Sequence, residues 1–176
     1  MTRAVNLAAV GSNANSSGTL LISGTAVTAS GTSVDFTDIP SWAKRITVMF
    51  SGVSTNGSSD FIIQIGDSGG VETSSYNGAV VRTNGSSVAT GNTSAGYLFA
   101  GSSGVGASST YTGKVAIELL TGSTYVMSGL MGSNSNVYAA FGSCVKTLSD
   151  TLTQVRITTV GGTNTFDAGT INILYE

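Results

Sequence analysis

Histidine is absent from the 176 residues of this chain, and with it go the commonest general base and the commonest zinc ligand. Cysteine occurs once, at Cys144, so no intrachain disulfide can form. Cys144 lies between Phe141 and Val145 in an apolar stretch, lacks the usual base partner of a thiol nucleophile, and reads as a buried structural side chain. Charge is scarce as well: Asp, Glu, Lys and Arg make up 9% of the residues, against about 25% in an average soluble chain. Seven basic and nine acidic residues, net −2, provide no basic stripe of the kind phosphate neutralisation requires, so nucleic acid is not an expected partner. Long hydrophobic runs are missing too. The mildly apolar start, residues 1–10, is broken by Asn6 and followed by Asn13, Asn15, Ser16 and Ser17, too short and polar for a secretory signal or a membrane span. The expectation is a soluble product made in a cytoplasm, with no membrane insertion.

What is present is glycine, at 24 positions, with abundant Ser, Thr and Asn and 40% hydrophobic residues. A mean hydropathy of +0.26 with almost no net charge is the opposite of a disordered composition. Small polar and β-branched residues favour pleated strands and tight turns over helices. Strand-like runs recur between Gly/Ser/Asn turns at 25–29, 33–36, 45–53, 61–66, 79–83, 96–100, 114–120, 125–130, 138–146, 153–159 and 170–175. The clearest alternations set Ile46, Val48 and Phe50 against Arg45, Thr47 and Met49, Val115, Ile117 and Leu119 against Lys114, Ala116 and Glu118, and Ile171, Ile173 and Tyr175 against Thr170, Asn172 and Leu174. Many short strands of this kind predict an all-β chain, an antiparallel β-sandwich or jelly-roll-like domain over residues 25–176. Residues 1–24 read as an extended N-terminal arm. Pro40 restricts Ile39 to an extended conformation and pre-sets a turn that carries the chain from one sheet to the other. Trp42, Phe50, Phe61 and Phe99 are expected in the core. Residues 54–59, 84–95 and 101–110 read as loops, and 66–70 and 161–164 as tighter turns.

Few constellations could carry chemistry. Asp35 and Asp38 are the nearest to a paired-carboxylate site, but three-residue spacing on a non-helical segment fixes no separation, and turn-capping is the favoured reading. Asp60, Asp67 and Glu72 lack the alternating oxygen ligands of a calcium loop. The glycine-rich run 66–70 has no lysine partner and no following helix, so it is a turn and not a phosphate loop. No catalytic, metal or cofactor site is expected. Tyr76, Tyr97, Tyr111, Tyr125 and Tyr138 lie in or beside the Gly/Ser loops, where amphipathic rings suit glycan surfaces and subunit interfaces; Tyr76, Tyr97, Tyr111 and Tyr138 are the candidate contacts, with core packing as the competing reading.

Several segments carry a family likeness in their order and wording. Residues 31–48, GTSVDFTDIPSWAKRITV, are followed by Gly52 to Gly57, by Gln64-Ile65-Gly66-Asp67, by Gly96-Tyr97-Leu98 and by the stretch 156–176. Together they resemble the C-terminal β domain of bacteriophage tail-fibre-like and virion-associated structural proteins, while 76–149 matches only loosely. The resemblance implies a non-enzymatic β-sandwich assembled as a homotrimer on a virion, attached to other virion proteins through the N-terminal arm and displaying loops toward bacterial surface glycan. No fibrous shaft repeat precedes the β domain, so a capsid or neck decoration protein that never contacts the host is the alternative expectation. A polysaccharide-degrading trimer, resting on the carboxylates and tyrosines, is a third.

Overall fold

The computed structural model describes residues 21–84, 86–101, 105–107, 109–134 and 138–176. Most of the arm, residues 1–20, lies outside the described residues. The strands are β1 (Ile22–Ser23), β2 (Val27–Thr28), β3 (Ser33–Phe36), β4 (Arg45–Thr55), β5 (Phe61–Asp67), β6 (Gly70–Val71), β7 (Asn77–Thr83), β8 (Val88–Gly91), β9 (Tyr97–Ala100), β10 (Tyr111–Thr121), β11 (Thr124–Ser133), β12 (Tyr138–Thr147), β13 (Gln154–Thr159) and β14 (Phe166–Tyr175). They form two antiparallel sheets packed face to face, the expected β-sandwich, with no helix among the described residues.

The larger sheet has nine strands in the order β1-β14-β4-β10-β11-β12-β7-β8, with β2 also pairing β14. The smaller has five, β3-β13-β5-β6, with β9 also pairing β5. The chain crosses between the two repeatedly, first from β2 to β3 and then at the Pro40 turn, where Ala43 donates its N–H to the Pro40 carbonyl at 2.9 Å and β3 gives way to β4 in the large sheet. The three alternating segments sit as their patterns require: Ile46, Val48, Phe50, Val115, Ile117, Ile171 and Ile173 are buried between the sheets, with Leu119 and Tyr175 packed against them.

Phe61 of β5 stands at the centre of the core. Its ring meets Phe99 at 6.1 Å, Tyr111 at 5.1 Å and Phe166 at 5.6 Å, while Phe99 stacks on Phe50 at 4.8 Å. Aromatic rings from both sheets therefore interlock, which adds pairwise attraction to the area they bury. Every residue of β5 is buried, because the segment before β9 lies across its outer side: Gln64 Nε2 donates to the Ala95 carbonyl at 2.8 Å.

Three strands fall where the sequence reads otherwise. Ile22–Ser23 leaves the arm to pair with Tyr175 and Leu174 at the sheet edge. The run 66–70 is a turn as expected, closed by the Gly69 N–H on Asp67 Oδ1 at 2.8 Å, but Gly70 already opens β6. Within the expected loop 84–95, residues 88–91 pair with β7 to form the opposite edge of the large sheet. A β-bulge marks β14, where Gly169 has φ +93 and an ideal Cβ would lie 2.5 Å from the Gly52 carbonyl oxygen.

Candidate functional site

The candidate tyrosine contacts lie inside the single chain. Tyr76, Tyr97, Tyr111 and Tyr138 are between 0% and 8% exposed, and Tyr125 is buried with them. Each hydroxyl finds a partner in the core, which is what lets a polar ring end leave water. Tyr76 accepts from the Ile65 N–H at 2.7 Å and donates to the Glu72 carbonyl at 2.9 Å; Tyr125 accepts from the Leu152 N–H at 3.2 Å; Tyr111 and Tyr138 bond each other. Desolvation pushes the Tyr76, Tyr97 and Tyr111 phenols well above their ordinary range, so they stay neutral. Their rings offer no face to a sugar, and the expected surface role is corrected to core packing.

Tyr97 shows how this burial is achieved. From β9 in the small sheet it crosses the sandwich and donates to the Gly142 carbonyl of β12 at 2.8 Å. Gly142 faces Gly129 of β11 on the inner side of the large sheet. An ideal Cβ on Gly129 would lie 3.4 Å from the Tyr97 hydroxyl and 2.7 Å from Val115 Cγ2. The glycine pair leaves the space that the tyrosine occupies.

The carboxylates are similarly engaged. Asp35 does not cap a turn; it sits on β3 and takes a two-pronged ion pair from Arg156 of β13, Nε to Oδ1 at 2.7 Å and Nη2 to Oδ2 at 2.8 Å. Asp38 lies in the Pro40 corner at φ +59 and accepts from Thr37 Oγ1 at 3.0 Å. Asp67 accepts from Ser149 Oγ and the Gly69 N–H, which hold its carboxyl below the ordinary 3.8. Glu72 pairs with Lys146 and accepts from the Ser149 N–H at 2.9 Å, and the Lys146 ammonium holds it below the ordinary 4.5. No cluster of metal-ligating side chains occurs among the described residues. Cys144 is buried, and desolvation pushes its thiol up to about 11.

The exposed aromatic side chains are different ones. Trp42, expected in the core, is 41% exposed, because the Pro40 turn places it at the corner where β3 crosses to β4. Its ring meets Tyr175 edge-on at 6.0 Å. Where the chain goes on into β4, Arg45 bridges Glu118 at 2.7 Å and Glu176 at 2.8 Å, and the Lys44 and Arg45 N–H groups close on the Glu176 carbonyl at 2.7 and 2.9 Å. An exposed indole can stack on the apolar face of a sugar ring. The second exposed group is on the outer face of the large sheet, where Leu130 is 58% and Phe141 47% exposed. Neither group carries a sequence signal: Phe141 alternates with buried neighbours as any strand residue does, and Trp42 has the composition of a core residue. No family model matches the chain, and no curated protein or solved structure shows significant similarity to it.

Proposed function

We propose that this chain is a non-enzymatic structural protein of a bacteriophage particle, a fibre or fibre-tip component that projects from the virion and binds bacterial surface glycan. The observation that carries the reading is where the resembling segments come together. Residues 31–48 and 156–176 supply β3 with β13 in the small sheet, and the start of β4 with β14 in the large one. Gln64-Ile65-Gly66-Asp67 pairs alongside β13. Segments more than a hundred residues apart thus form one contiguous half of the sandwich, and the loosely matching 76–149 builds most of the other half. A likeness spread over distant segments gains weight when those segments are neighbours in space.

The low charge supports the same reading, since surfaces poor in charge favour association over free solution. So do the engaged carboxylates: Asp35, weighed with Asp38 as a carboxylate pair, is held by Arg156, and Asp67, weighed as a calcium ligand, by Ser149 and Gly69. Within this reading the glycan surface is the Trp42 corner. Trp42→Ala is expected to weaken binding of purified host-surface polysaccharide at least about ten-fold, the loss typical of a central aromatic anchor. Because the side chain is part-exposed, the thermal midpoint should stay near that of the parent. Cryo-EM of intact particles tests the placement directly. Density at a tail or fibre tip with the Trp42 corner outward supports it; density on the shell or neck replaces it with a decoration protein and removes the receptor claim. Absence from purified particles ends both.

A further inference from the structure

We infer that the outer face of the nine-stranded sheet is a self-association surface, on which a second copy of this chain packs the same face across a two-fold axis. One-sided antiparallel sheets ordinarily alternate apolar inward with polar outward. This one does not. Across β4, β10, β11, β12 and β7 the registered neighbours Met49, Lys114, Leu130, Phe141 and Val81 form one outward row. The next outward row, two residues along each strand, is Thr47, Ala116, Ser128, Ser143 and Ala79. A third row holds Arg45, Glu118, Val126, Val145 and Asn77. Large side chains thus make a ridge, and small ones make a trough beside it whose floor is Ala116, Ser128 and Ser143 and whose walls are Leu130 and Phe141 on one side and Arg45 and Glu118 on the other.

Ridge and trough are complementary to each other, which is what an isologous interface requires. A two-fold axis lying in the interface, across the strands and between the first and second rows, sets the ridge of each copy into the trough of the other. Leu130 then enters over Ser128 and Phe141 over Ser143 of the second copy. Charge points to the same partner and the same register. Lys114 makes no ion pair among the described residues, whereas Arg45 is shared by the carboxylates of both Glu118 and Glu176, leaving that cluster one negative charge in excess. In this packing Lys114 lies above the partner's Ala116, two residues from Glu118, a span of about 7 Å that a lysine stem covers. The area suffices: five strands about 4.8 Å apart and seven to nine residues long at about 3.3 Å each give a face of roughly 700 Å² in plan, within the range of about 600–1,000 Å² per partner of a stable interface.

The inference concerns copies of the chain and does not depend on where the chain is used. Sedimentation of the full-length protein at concentrations up to about 100 μM, where even a weak interface populates pairs, tests it. The wild type is expected at twice its 17.6 kDa mass. Phe141→Lys should weaken pairing by about 30-fold or more, as loss of a central apolar anchor does, with an unchanged far-ultraviolet spectrum. Lys114→Glu alone sets a new carboxylate against the partner's Glu118, and Glu118→Lys alone sets two ammonium groups together, so each should pair poorly. Mixed together, the two variants regain both opposite-charge contacts and should pair as heterodimers. A wild type monomeric throughout, a dimer indifferent to Phe141→Lys, or a mixture that fails to restore pairing overturns the inference. A trimer, the assembly the family resemblance implies, overturns the two-fold packing while leaving the virion reading intact; absence from particles does the reverse.

Discussion

The two faces of the nine-stranded sheet are written by the same strands, one residue out of step, and they differ most where each carries a lysine. On the inner face Lys146 is 4% exposed, lies over the Tyr76 ring at 5.4 Å and is paired with Glu72. On the outer face Lys114 stands beside exposed Leu130 with no ion-pair partner among the described residues. On the inner face the tyrosine hydroxyls and the lysine find their partners within one chain. The outer face is left with an apolar ridge around Leu130 and Phe141, a trough and a lysine without an ion-pair partner among the described residues. A surface finished in that manner is one whose partners lie outside the chain.

Adjacent residues 141 and 142 put the contrast to its hardest test. Gly142 points inward, where an ideal Cβ would lie 2.2 Å from the Ala79 carbonyl oxygen and 2.8 Å from Val80 Cα. Backbone cannot yield as a side-chain tip can, so Gly142→Ala must shift β7 or β12 and with it the carbonyl that Tyr97 bonds. The expected loss is about 3 kcal/mol, typical of overpacking, which in a chain of this size lowers the thermal midpoint by roughly 10 °C. A midpoint within about 2 °C of the parent would show that the inner face is looser than its close contacts imply.

The sequence makes part of this legible and hides the rest for identifiable reasons. Strands with a strict period of two, such as 45–50 and 170–175, are readable because one buried face demands it, and the Pro40 crossing is readable because proline restricts the residue before it. Strand β8 is hidden because residues 84–91 have the composition of a loop and become a strand only by pairing with β7. The tyrosines mislead because their burial is decided elsewhere: the acceptor for Tyr97 is a glycine 45 residues later, in the other sheet. Trp42 misleads in the opposite sense, since hydrophobicity alone places it inside and only the position of the corner puts it out. The surfaces most open to partners were thus the least visible, because exposure of an apolar residue leaves no mark in composition.

The paired inner lysine gives the middle effect. Glu72→Gln leaves the Lys146 ammonium buried against a neutral amide. A fully buried pair broken on one side costs about 3–5 kcal/mol, and because the Glu72 side chain is 27% exposed a loss of about 2 kcal/mol is expected. The pH dependence has a definite sign. Glu72 is depressed in the folded state, so its contribution is complete above the unfolded value near 4.5 and is lost as pH falls through the lower folded value. Denaturant midpoints measured from pH 7 down to pH 3 should therefore fall more steeply for the parent than for Glu72→Gln, while Asp67, depressed for its own reasons, keeps a residual slope in both. Parallel curves would mean that the pair is screened by solvent and belongs, energetically, with the exposed face.

The smallest effect is the most discriminating. Phe141 precedes Gly142 but points outward, 47% exposed, with Leu130 and Val81 as its registered neighbours. If the outer face contributes to partners and not to the fold of one chain, Phe141→Ser should change the stability of the isolated monomer by no more than about 0.5 kcal/mol, the range of ordinary surface substitutions. The measurement belongs at high dilution, because any self-association adds binding free energy to apparent stability and makes it depend on concentration. The parent should then lose stability on dilution and Phe141→Ser should not, so the two converge at the dilute limit. A difference persisting at that limit would mean that the ring supports the monomer itself. The outer row would then be a second core layer, and the boundary between inside and outside would have to be drawn one residue further out.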